Sequence, residues 1–148
     1  MSTPITDLTQ HAPRSTRTRL GGYVLLPRML DKGRADIAGK NGEYHFNCPL
    51  DQRILGFLGI EADALRAELA KGKGDGEILE WIQANQKNKH TPANIEAWSD
   101  EQGKRGPDGE SQEYFDGMKK AAGPNRTDIN TWADLLDLDD YVTFGGKA

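Results

Sequence analysis

The chain has 148 residues, of which 36% are hydrophobic and 28% charged, with 17 Gly, 7 Pro and a mean hydropathy of −0.73. Those values fit one polar domain of ordinary size, and no run approaches the roughly 20 apolar residues of a spanning helix, so no membrane partner is expected. The formal charge is −4. It is uneven: residues 1–40 hold seven basic groups against three acidic, which gives +4 and leaves −8 for the rest. An acidic body argues against a broad nucleic-acid footprint. The single Cys48 precludes an internal disulfide and fits a reducing compartment. No apolar stretch near Met1 has the form of a signal peptide, so a cytoplasmic location is expected.

Residues 1–19 carry no apolar periodicity, and Pro4 and Pro13 interrupt them. They read as a flexible arm, with residues 20–148 as a single helical domain. From Leu20 the pattern turns helical: Tyr23, Leu26, Leu30 and Ile37 recur at helical spacing, which predicts a helix over about 24–37 with Pro27 in its first turn. Gly39 and the Asn41-Gly42 pair end it. Residues 43–47 alternate and predict a short extended segment, for which residues 141–144 are the only candidate partner. Pro49 opens a helix to about 58, with Cys48 as N-cap and Asp51 as its third residue. Further helices are expected over about 62–70, 76–86 and 92–101, the last after the Thr91-Pro92 signal. Two more follow, over about 110–122 and after a cap at Thr127 or Asp128. The fold class is therefore mainly α, an irregular single-domain helical array with at most a short extended segment near Glu43–Asn47. The glycine-rich stretch over residues 72–76 could separate a front half from a back half.

The helix over 24–37 is the informative one. On a wheel of about 100° per residue, Asp31 and Arg34 fall on the same face as Leu26 and Leu30, with Arg28 and Lys32 beside it. Leu25 and Met29 lie opposite. A helix apolar on two sides is central or lies at an interface, and buried charges are costly unless paired or used. One reading makes a polar pocket for an anionic small molecule. In it Arg28 and Arg34 hold the anion, Asp31 orients Arg34, Glu43 or Asp51 serves as acid or base, and Tyr44 donates a hydrogen bond. The other reading is structural: Asp31 pairs with Arg34, and Arg28 or Arg34 with Glu43 or Asp51, inside a protein-interaction or structural module.

Cys48 at a helix N-terminus, three residues after His45, is a further candidate nucleophile. Residues three apart in an extended segment point to opposite faces, and cysteine is a common buried residue, so an inert thiol is the simpler expectation. The candidate catalytic set is thus Asp31, Glu43, Asp51 and Cys48, and the candidate ligand-binding set is Arg28, Arg34 and Tyr44. His11, His45 and His90 have no metal-binding spacing, and no phosphate-loop, dinucleotide or nucleophile-elbow motif occurs, so neither metal nor cofactor is implied. Trp81, Trp98 and Trp132 sit in apolar helical stripes and are expected as buried core anchors.

The strings LLPRMLDKGRA, GKNGEYHFNCPLD, FLGI and EILEWI resemble those of a bacterial family described only as a domain of unknown function. The resemblance covers about residues 22–98. It implies a compact, mainly helical, single-domain protein and brings no activity, cofactor or catalytic residue with it. Whether the chain is an enzyme, binds an anionic small molecule, or meets a protein partner or a second copy of itself stays open at this point.

Overall fold

A computed structural model describes residues 7–148. The elements run β1 (Arg19–Leu20), β2 (Tyr23–Val24), α1 (Leu26–Ile37), α2 (Pro49–Leu58), α3 (Ala62–Leu69), α4 (Asp75–Asn85), α5 (Pro92–Lys104), α6 (Gln112–Ala122) and α7 (Trp132–Thr143). The chain is a mainly α single domain, as the helical periodicities imply.

The extended structure is not where alternation placed it. Residues 19–24 form a two-stranded antiparallel hairpin, with Leu20 opposite Tyr23 and Arg19 opposite Val24. Its two turn residues, Gly21 and Gly22, have φ of 60° and 87°. A tight hairpin turn of this hand needs positive φ at both central positions, which two glycines accept without strain. The helix α1 therefore starts two residues later than its apolar pattern, after Leu25 takes a left-handed conformation at φ 73°. Residues 43–47, expected to be extended, are turns instead. Tyr44 donates its backbone N–H to the Asn41 carbonyl, and the Asn41 amide returns a bond to the Tyr44 carbonyl. Residues 141–144 make no partner strand, because α7 continues through Thr143.

The remaining helices begin and end close to their sequence signals, with one shift. The cap of α7 is Thr131, not Thr127 or Asp128. Its hydroxyl accepts from the Asp134 N–H at 3.1 Å, and the Asp134 carboxylate accepts from the Thr131 N–H at 3.1 Å. This reciprocal pairing satisfies two N-terminal donors at once.

Helix α1 is the axis of the molecule. Every residue from Leu26 to Ala35 is buried, and the hairpin, α2 and α3 pack around it. Gly33 shows how closely: a Cβ there would lie 2.6 Å from Leu69 of α3 and 3.2 Å from the Phe46 ring. The main core joins Leu26, Met29 and Leu30 to Ile54, Leu58, Leu65, Ile78 and Ile82. A smaller second core holds Phe115, Ile129, Leu135 and Leu138, between α6 and α7. The division falls beyond α5, not at residues 72–76.

The three tryptophans are partly buried and pack against these cores, as their apolar helical stripes imply. Trp98 stacks on Phe57 at 4.4 Å between centroids, and His90 stacks on the same Phe57 ring at 3.7 Å. Trp132 meets Phe115 edge-on at 5.1 Å. Large rings at a core's margin bury much area while one edge stays wet.

The segment expected to be a flexible arm, from Asp7 onward, lies against the body. Leu8 is 1% exposed and its N–H donates to the Lys40 carbonyl at 2.9 Å. Pro13 and Thr16 are buried, and the Thr16 carbonyl accepts from the Leu25 N–H. Residues 1–6 lie outside the described part of the chain.

Candidate functional site

Four charged residues of α1 are at least nine-tenths buried, and each reaches a different part of the chain. Arg28 points to α7, where it forms a forked pair with Asp140 at 2.8 and 3.3 Å. Tyr44 closes the same pair: its hydroxyl donates to Asp140 at 2.8 Å, and its ring lies 5.5 Å from the Arg28 guanidinium carbon. Burial first, and then the bond to Asp140, hold the Tyr44 phenol above its ordinary pKa. So Tyr44 stays a neutral donor.

Lys32 turns to α2. Its ammonium lies 2.9 Å from Asp51 and donates to the Cys48 sulfur at 3.2 Å. Asp51 also accepts the Asn47 N–H at 3.0 Å, which fixes the left-handed Asn47 before the helix. The Lys32 and Asp51 side chains are 4% and 2% exposed. This is the driest ion pair among the described residues.

Asp31 and Arg34 do share a face, but they do not pair. Asp31 accepts three bonds from Arg14: the backbone N–H at 2.9 Å, Nε at 3.0 Å and Nη2 at 3.0 Å. Arg14 then reaches Asp75 at the start of α4, at 2.7 Å. Arg34 donates to that same Asp75 at 2.9 Å and to the Lys73 carbonyl at 3.2 Å. The result is a chain, Asp31–Arg14–Asp75–Arg34. Burial works against ionisation of Asp75, but the bonds from Arg14 and Arg34 outweigh it and hold its carboxyl below the ordinary range. The bond to Asp75, and with it that to Asp31, raises the pKa of Arg14 further.

The expected pairings are therefore corrected in partner though not in kind. Asp31 bonds Arg14 in place of Arg34, and Arg28 bonds Asp140 in place of Glu43 or Asp51. Glu43 is exposed and makes no ion pair among the described residues. Cys48 is the N-cap of α2, half-buried, and its sulfur meets Lys32; no hydrogen bond joins it to His45 among the described residues. Arg14, Asp75 and Asp140 escaped the sequence reading. Arg28 and Asp140 are 112 residues apart, and Arg14 and Asp75 are 61 apart. No local spacing encodes such contacts.

Four cations (Arg14, Arg28, Lys32, Arg34) face four carboxylates (Asp31, Asp51, Asp75, Asp140) at closest distances of 2.7 to 3.0 Å. The cluster is electrically closed. No group of three His, Cys, Asp or Glu side chains among the described residues is placed to hold a metal ion, and no described helix is long and apolar enough to cross a membrane. A cavity of about 440 Å³ opens between the hairpin, α5 and α7, and none of Arg28, Asp31, Arg34, Glu43, Tyr44, Cys48 or Asp51 lines it.

No curated protein matches the chain. A family model does, over residues 10–142, which takes in both cores and every member of the ion-pair cluster. The chain belongs to the family described as domain of unknown function DUF5069.

Proposed function

We propose that this protein is a small binding or interaction module in which the α1 charges form a structural ion-pair network. Catalysis at those charges is not part of this reading. The observation that carries it is the charge balance. Each buried cation on α1 already has a carboxylate within hydrogen-bond distance, so its charge is balanced, and the one donor left without a partner, Arg34 Nε, is sealed from solvent. A closed pair in a dry setting gains its energy from the partner it has, and an incoming anion would have to displace a carboxylate that cannot leave.

Several features fit a partner-binding role at the surface. The largest exposed apolar side chains are Tyr114, Tyr141 and Phe144, all on α6, α7 or the turn that follows. A partner protein or a second copy of the chain would find its apolar contacts there. The lone thiol, held against Lys32, fits a reducing, cytoplasmic setting.

The test is a titration of inorganic phosphate and of succinate onto the wild-type protein, followed by NMR. No saturable shift of the amides in residues 26–37 is expected. Saturable binding that Arg34→Gln abolishes in a variant still folded by circular dichroism would overturn the reading and restore the anion pocket at α1.

A further inference from the structure

We propose that the cavity between the hairpin, α5 and α7 is a binding site for a small carboxylic acid with an apolar body, anchored by Arg105.

The cavity holds about 440 Å³, within the roughly 300–1,000 Å³ of small-molecule sites. Its apolar wall is Leu25, Leu50, Trp132 and Leu136. Such a wall favours a hydrocarbon or aromatic body over a bare inorganic ion. Its cationic side comes from Arg17, Arg19, Lys104 and Arg105.

These cations are not equivalent. Arg17 is bound to Asp134 and Asp137 of α7, and Arg19 to Asp100 of α5. Those three carboxylates pair Arg17 and Arg19 and leave Lys104 and Arg105 without an ion-pair partner among the described residues. Arg105 differs from every other arginine of the chain. The other eight each make at least one side-chain hydrogen bond, whereas Arg105 makes none among the described residues. It is only partly exposed. Its charge is disfavoured first by burial and then by the neighbouring Arg53 cation, with Asp108 acting more weakly in its favour. The Gln102 side-chain oxygen accepts from Arg53 at 2.8 Å and makes no bond to Arg105.

The backbone holds Arg105 in place. It is the C-cap of α5, and its carbonyl accepts the Trp132 N–H at 3.0 Å, at the start of α7. A guanidinium carried by this anchored backbone into the lining of an apolar cavity, with five donors and no acceptor, is matched by a carboxylate fork. Thr16 also belongs to this wall, but its hydroxyl is sealed from the cavity. Thr16 is 5% exposed, and its hydroxyl makes no hydrogen bond.

The experiment is a ¹H–¹⁵N NMR titration of the full chain with benzoate, and with benzamide as the uncharged isostere. Benzoate is expected to shift the Arg105, Trp132 and Leu25 amides saturably. Arg105→Gln should weaken it about tenfold or more, the loss of one charge-assisted fork. Arg105→Lys should recover part of that. Arg53→Gln, outside the cavity lining, should leave binding in place. Three results would each overturn the proposal: no saturable shift with benzoate, benzamide binding as tightly as benzoate, or Arg105→Gln binding as wild type. Inorganic phosphate binding as tightly as benzoate would overturn the apolar half of the ligand class.

Discussion

Asp31 carries more of the architecture than its position on a helix would predict. Through Arg14 it holds the incoming chain, and through Arg14 and Asp75 it is coupled to Arg34 three positions along the helix. Its loss should be moderate, because Arg14 is 38% exposed and keeps Asp75. Asp31→Asn is expected to cost about 1–3 kcal/mol in urea unfolding, the range for leaving charged donors short of an acceptor. A change below about 0.5 kcal/mol would show that Arg14 is held by other means. Asp75 and Asp139 should respond to pH with opposite signs. The pKa of Asp75 lies below its ordinary value when folded, so its contribution is complete above the unfolded value of about 4 and is lost as pH falls through the lower folded one. The stability gap between wild type and Asp75→Asn should therefore close on acidification below pH ~4. Asp139 is pushed up, first by burial and then by Asp140. Its ionisation opposes folding, so Asp139→Asn should stabilise the protein at neutral pH and lose that gain below pH ~4. Unfolding curves from neutral to acid pH check both signs.

At the scale of elements, hydrophobic periodicity and capping residues located the helices because those signals are local. Pro49, Thr91-Pro92 and Gly59 fix ends by backbone geometry that a neighbour cannot alter. The hairpin was legible too, in Gly21-Gly22, but the apolar spacing of Tyr23, Leu26 and Leu30 continued through it and read as one helix. Residues 7–18 were not legible. Their anchors, Leu8, Pro13, Arg14 and Thr16, are single residues without period, each meeting a site far along the chain. If that packing counts, deleting residues 1–18 should lower the thermal midpoint by about 5 °C or more, since burying Leu8 alone contributes about 1.5–3 kcal/mol and a domain this size shifts by about 2–4 °C per kcal/mol. An unchanged midpoint would instead make this segment the free arm its composition describes.

Over the whole molecule, two apolar cores share one chain, and polar ties cross the seam between them. Arg28–Asp140–Tyr44 links α1 to α7, and Arg17 adds Asp134 and Asp137. The charged helix was legible as a centre because its charges fall among apolar residues. Which charge meets which was not, since the partners come from the N-terminal segment, α2, α4 and α7. This arrangement makes α1 a clamp, and it leaves ligand recognition to Arg105 and the cavity outside the clamp. The clamp is tested most directly at its driest pair, by a double-mutant cycle on Lys32 and Asp51 in urea. Lys32→Met and Asp51→Leu are each expected to cost about 3–5 kcal/mol, because each strands a buried charge. The double variant should lose less than the sum, with a coupling of about 1–3 kcal/mol. Single losses below about 1 kcal/mol, or losses that simply add, would contradict a structural network at α1.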